Sequence, residues 1–195
     1  MTNPKQPKLL IFGGVNGAGK TTLAYSMVPH ITTIERFLNA DNIARGLSPL
    51  APEKVALRAG KILLQQIDEL IEEQTTFAIE TTLASKGHLK TIEKAQSKGF
   101  YCEMFYVWMP DVSYSHERVA MRVKKGGHPI PAKDIERRYQ RSVNNFWHHY
   151  RMQVDEWRLY TNMHEKHDLL AFGKQNNYTV KSEELWKLAT QNQPI

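Results

Sequence analysis

Short apolar runs alternate with helix-spaced apolar positions along the first half of the chain. Leu9-Leu10-Ile11-Phe12 leaves no polar face, the mark of a strand buried on both sides. A helical pattern follows over 20–27 and Pro29 ends it. Residues 35–39, beginning at Glu35, predict a second strand that runs into a turn at Ala40-Asp41-Asn42. Over 52–74, Val55, Ala59, Ile62, Leu63, Ile67, Leu70 and Ile71 recur at helical spacing. Residues 76–79 predict a third strand ending on Glu80-Thr81-Thr82. A basic helix over 86–98 closes at Gly99, and a fourth strand over 101–109 stops at Pro110.

The second half differs in kind. A helix over 112–125 is cut by Gly126-Gly127-His128-Pro129-Ile130-Pro131 and restarts at Ala132. Ile135, Tyr139, Val143, Phe146, Tyr150, Val154 and Trp157 then step by three or four, one stripe that predicts one long helix with core aromatics rather than a base-stacking platform. Residues 168–172 predict a fifth strand, 173–178 a turn and 182–189 a capped closing helix. Strands alternating with helices imply a parallel sheet covered on both faces. No repeat, low-complexity tract or linker divides the chain, so a single domain over 1–195 is expected.

Gly14-Val15-Asn16-Gly17-Ala18-Gly19-Lys20-Thr21 fills every fixed position of G-x-x-x-x-G-K-[ST], between the first strand and the first helix, the context this motif requires. The glycines let backbone N–H groups curl around a phosphate and the helix adds its dipole. The motif predicts binding of a nucleoside triphosphate, with Lys20 reaching the β- and γ-phosphates and Thr21 ligating Mg²⁺. The expected fold is therefore three-layer α/β around the P-loop, with a mostly parallel five-stranded sheet and a helical, arginine-bearing lid over about 112–142; the motif alone does not separate a kinase from a GTPase, a motor or a nucleic-acid ATPase.

Composition narrows the class. Of 195 residues, 41% are hydrophobic and 24% charged, as in a soluble globular chain. No apolar stretch is long enough for a membrane span, and residues 1–8 carry no apolar signal region. The lone Cys102 excludes an internal disulfide and fits a cytoplasmic location. His164-Glu165-Lys166-His167 has the wrong spacing for a zinc helix and His148-His149 diverge, so no zinc site is expected. The net charge of +6 is concentrated: residues 117–141 hold eight Lys/Arg against three Asp/Glu. A patch beside a phosphate loop suits polyphosphate better than the extended, aromatic-lined groove of a nucleic-acid binder.

Chemistry is expected at the carboxyl ends of the strands. Glu80 ends the third strand, where it either holds Mg²⁺ through water or faces an acceptor. Asp41 follows the second strand and is either a general base for an attacking hydroxyl or an N-cap for the turn at 42–45. Arg118 and Arg122 share one helix face, and Arg137 and Arg141 repeat the spacing beyond the glycine-proline break, with Arg138 adjacent. These arginines either close over a triphosphate through a hinge at the break or form a solvated basic face. The leading expectation is an ATP-dependent kinase acting on a small-molecule hydroxyl. The alternatives are a nucleic-acid-associated ATPase or polynucleotide-end kinase, and a regulatory module with a structural ATP site.

Ordered blocks from Leu9 to about Trp186 resemble the zeta-toxin group of P-loop kinases. They are the P-loop through Thr22, Asn39-Ala40-Asp41-Asn42-Ile43-Ala44, Glu80-Thr81-Thr82-Leu83, Arg118-Val119-Ala120-Met121-Arg122-Val123, Gly126-Gly127-His128-Pro129-Ile130-Pro131 and Ile135-Glu136-Arg137-Arg138-Tyr139-Gln140-Arg141-Ser142. The resemblance implies a P-loop kinase fold and a kinase rather than a switch, with transfer of the ATP γ-phosphate to the 3′-hydroxyl of UDP-N-acetylglucosamine and restraint by an antitoxin. It places ATP on Gly14, Asn16, Gly17, Ala18, Gly19, Lys20, Thr21 and Thr22. It makes Asp41 the base, Asn39, Glu80, Thr81 and Thr82 the acceptor side, and Arg118 or Arg122 a γ-phosphate clamp. His128 or Arg138 stands where a second clamp arginine is expected.

Overall fold

A computed structural model describes residues 6–31, 34, 36–124, 126–127, 129–164, 166–191 and 193. Its frame is a sheet in the order β2-β3-β1-β4-β5-β6-β7. The strands are β1 Lys8–Gly14, β2 Phe37–Asn39, β3 Phe77–Thr81, β4 Tyr101–Trp108, β5 Glu156–Thr161, β6 Asp168–Lys174 and β7 Asn177–Val180. The first five pair in parallel, and β6 and β7 are antiparallel additions at one edge. Among the described residues the sheet thus has seven strands where five were expected.

Helices cover both faces. Period two along β1 sends Leu9 and Ile11 to one face and Leu10 and Phe12 to the other, all fully buried. On the first face lie α3 (Ala56–Glu72), α4 (Gly87–Ser97) and α8 (Glu183–Thr190), through Leu63, Ile67, Ile92 and Trp186. On the second lies α1 (Lys20–Ile31), through Leu23 and Ala24. The α2 helix (Ala40–Leu47) follows β2 directly, and a 3-10 turn, Pro52–Val55, leads into α3. The remaining helices are α5 (Val112–Lys124), α6 (Ala132–Asn145) and α7 (Arg151–Gln153). The α1 helix runs on past Pro29 to Ile31, beyond the end that the sequence pattern placed there. Glu35, placed in the second strand by sequence, lies outside the described residues.

The stripe from Ile135 to Trp157 is core but not one helix. The α6 helix ends at Asn145, a π-helical turn spans Phe146–Tyr150, and Val154 is extended at ψ 157°. The chain then enters β5 between β4 and β6, where Trp157 and Leu159 are fully buried. Tertiary pairing decides this: without β5, the inner strand β4 would present an unpaired edge. The turn expected over 173–178 is present but shorter, at Gln175-Asn176 between β6 and β7, which pair as an antiparallel hairpin, and Tyr178 packs on Trp186 with ring centroids 4.8 Å apart.

Candidate active site

Strand order makes the site. After β1 the chain crosses to β2 and β3 on one side and only then to β4 on the other, so a crevice opens at the carboxyl end of β1. The registers Phe12 opposite Glu80 and Asn39 opposite Glu80 put both strand ends level with the P-loop. Thr21 donates its hydroxyl to Glu80 Oε2 at 2.8 Å, and Asn39 Nδ2 donates to the same oxygen at 2.8 Å. Glu80 is therefore directed at the loop threonine.

Asn39, and not Asp41, caps α2. Its Oδ1 accepts from the backbone N–H of Asp41 at 2.8 Å and of Asn42 at 3.3 Å. Asp41 sits inside the first helical turn with its carboxylate released from capping. It is exposed and lines the cleft beside the P-loop.

Lys20 is buried and donates to Val15 O at 3.0 Å. Burial lowers its pKa. Glu80 and Asp41 oppose that shift, whereas Arg122 and Arg138 add to it, so two carboxylates and two guanidinium groups all act on this one ammonium. Arg118, Arg122, Arg138 and Arg141 line the same cleft of about 560 Å³ as Thr21, Thr22, Thr81 and Thr82. Arg137 lines it too, but is exposed and paired with Asp134 at 2.6 Å. The basic window thus turns its arginines onto one cleft rather than along an extended groove.

Beyond β3 the chain is held sharply. Leu83 has φ +54°, a region that β- and γ-branched residues seldom occupy, and is fixed by Thr81 Oγ1 accepting its N–H at 3.2 Å and by Asn145 Nδ2 donating to its carbonyl at 2.7 Å. This bend carries Thr82, Ala84 and Ser85 to the cleft wall. A second cleft of about 1570 Å³ shares Thr22, Asp41, Arg118, Arg122 and Arg138 with the first and opens between α2 and the α5–α6 connection. Its outer wall is apolar, with Pro49, Leu50, Met121, Pro129 and Ile130. His128 lies outside the described residues.

Two residues in contact with the P-loop escaped the sequence reading. Asn162 Nδ2 donates to Ala18 O at 3.0 Å, and His167 Nε2 lies 3.1 Å from Gly19 O. Both sit on the β5–β6 connection, and they were hidden because β5 read as helix. The two-residue alternation Trp157, Leu159, Thr161 was the signal available. Arg118 belongs with them: its guanidinium donates to Gly17 O at 3.4 Å and to the Asn162 carbonyl. Asn16, within the loop, is buried, and its Oδ1 has no partner among the described residues.

The zeta toxin family model matches residues 1–175. An uncharacterized protein of Haemophilus influenzae is 28% identical over 134 residues, covering 69% of this chain and 94% of its own. Among solved structures, the PezAT chromosomal toxin-antitoxin system of Streptococcus pneumoniae superposes with a TM-score of 0.69 at 17% identity, covering 99% of this chain and 82% of that one. The AvrRxo1-ORF1:-ORF2 structure with ATP gives 0.72 at 16% identity, covering 98% of this chain and 66% of that one. At these identities the two structures establish a shared fold.

Proposed function

The chain belongs to the zeta toxin family, and from that premise we propose that it is an ATP-dependent kinase that phosphorylates a hydroxyl of a small molecule. One observation carries the reading: Asp41, freed from capping by Asn39, lines the same cleft as Lys20 and Thr21. The P-loop holds ATP through Gly14, Asn16, Gly17, Ala18, Gly19, Lys20, Thr21 and Thr22. The acceptor oxygen attacks the γ-phosphorus while its proton passes to the Asp41 carboxylate. The bond from phosphorus to the bridging oxygen breaks, and that oxygen leaves with its electron pair on ADP. Lys20, Arg122 and Arg138 stabilise the charge that develops on the transferring group. Asn39, Thr81 and Thr82 define the acceptor side, and the segment over about 112–142 acts as a lid on a single catalytic unit.

The donor set fits Mg²⁺. Thr21 offers a hard hydroxyl oxygen already oriented by the Glu80 carboxylate, which would hold the ion through water. Bound there, Mg²⁺ supplies charge neutralisation to the β- and γ-phosphates.

The larger cleft, with an apolar wall and Asp41 on its inner border, suits an acceptor with a ring or acyl group beside its hydroxyl. The family relationship proposes a UDP-N-acetylhexosamine and, as in the PezAT system, an antitoxin partner. Incubating the protein with ATP, Mg²⁺ and a panel of sugars, nucleosides and nucleotide sugars tests this by mass spectrometry. Gain of one phosphate by one acceptor class supports the reading. ATP hydrolysis with no phosphorylated acceptor contradicts it.

A further inference from the structure

The carbonyls of Gly17, Ala18 and Gly19 are each met from outside the loop, by Arg118, Asn162 and His167 respectively. The strand registers bring these groups together. Gly14 lies opposite Val107, Val107 opposite Tyr160, and Trp108 opposite Thr161. The residue after Thr161 therefore emerges beside the loop that follows Gly14.

A trans peptide is planar, with its C=O and N–H on opposite sides. A carbonyl held outward therefore turns the next N–H the other way. The Asn162 bond orients the Ala18–Gly19 peptide, and the Gly19–Lys20 peptide is fixed by two donors on its carbonyl, the Leu23 N–H of the first turn of α1 at 3.0 Å and His167 at 3.1 Å. The N–H groups of Gly19 and Lys20 then point away from the β5–β6 connection, toward the cleft that Lys20, Thr21 and Glu80 line. Contact is close: a Cβ on Gly19, whose φ is +87°, would run into Asn162 Nδ2 and lie 3.1 Å from His167 Nε2. Because a carbonyl only accepts, Nε2 of His167 carries the hydrogen. Arg118 ties the Asn162 backbone to the same assembly.

We infer that Asn162 and His167 are positioning residues: a latch that sets the P-loop peptides for anion binding before the nucleotide arrives. Such preorganisation removes the cost of ordering the loop on binding. The inference rests on the proposed role of the P-loop as an ATP site.

Calorimetric titration of ATP and of inorganic tripolyphosphate, each with Mg²⁺, against wild type, Asn162→Ala, His167→Ala and His167→Gln tests it, with melting curves of the unliganded proteins. Each alanine variant is expected to bind both ligands about tenfold more weakly, the loss of one well-placed hydrogen bond. His167→Gln, which can return an N–H to the Gly19 carbonyl, is expected within about threefold of wild type on the same scale. Weakened ATP binding with unchanged tripolyphosphate binding overturns the latch, since the side chains would then act on the nucleoside. Lowered melting temperatures with unchanged affinities overturn it as well, and His167→Ala against His167→Gln decides the matter should Asn162→Ala not fold. Failure of wild type to bind either ligand contradicts instead the ATP-site reading on which the latch rests.

Discussion

Lys20 is held in the fold at a thermodynamic disadvantage. Burial makes its charged form unfavourable, and among the described residues its hydrogen bond is to a loop carbonyl, so the ammonium is best satisfied when an anion arrives. The sign of the pH effect follows. Its folded pKa lies below the ordinary 10.5, so the deficit in stability is full below the folded pKa and fades as pH rises toward 10.5. Lys20→Met keeps the stem and removes the charge. It is expected to abolish detectable triphosphate binding and to raise the melting temperature of the unliganded protein by roughly 2–4 °C, on the order of 1 kcal/mol. Nucleotide titration and thermal melts at neutral pH check both halves. Loss of binding together with a lower melting temperature would mean that Lys20 supports the fold. Among single residues the loop was plain in the sequence because its spacing is fixed by backbone geometry. The division of labour between Asn39 and Asp41 was not, since both are good caps and only the turn geometry of α2 chooses between them.

At the scale of elements, the bonds of Gly126 and Gly127 cap the end of α5. The N–H of Gly126 donates to Val123 O and that of Gly127 to Arg122 O, both at 2.9 Å, with Gly126 at φ +86°, the pattern of a Schellman motif. A Cβ on Gly127 would lie 2.6 Å from Arg122 Cγ and 2.8 Å from Arg122 O. Gly127→Ala is therefore expected to displace Arg122 and lower kcat about tenfold, at a cost of roughly 1–3 kcal/mol in stability. Steady-state kinetics beside a denaturant melt checks this, and unchanged kcat would remove Arg122 from the reaction. The two glycines were legible as a break between helices. The outer half of the sheet was harder: Trp157 continues a helical stripe by spacing and becomes β5 only because β4 needs a partner on that side. The π-helical turn over Phe146–Tyr150 keeps the aromatics buried across the change, with Phe146 stacked on Tyr106 at 4.2 Å. The spacing up to Trp157 does not separate these outcomes, because burial is the same in both, and only the alternation Trp157, Leu159, Thr161 beyond it does.

Across the whole molecule, two halves of the chain build one site. The parallel core supplies the phosphate loop, Glu80 and Asp41, and the helical region after β4 supplies arginines that line the same cleft. The β5–β6 connection closes over the loop from the third side. No helix among the described residues is long and apolar enough to cross a membrane. The proposed transfer to an acceptor draws on this convergence, with Asp41 lining both clefts. The most direct test is the fate of labelled γ-phosphate when wild type and Asp41→Asn are each given ATP, Mg²⁺ and a small-molecule cell extract. Wild type is expected to place the label on one metabolite class, and Asp41→Asn to lose that transfer by about 10²–10⁴ while binding ATP as before. Label released only as inorganic phosphate, at the same rate in both proteins, would contradict it.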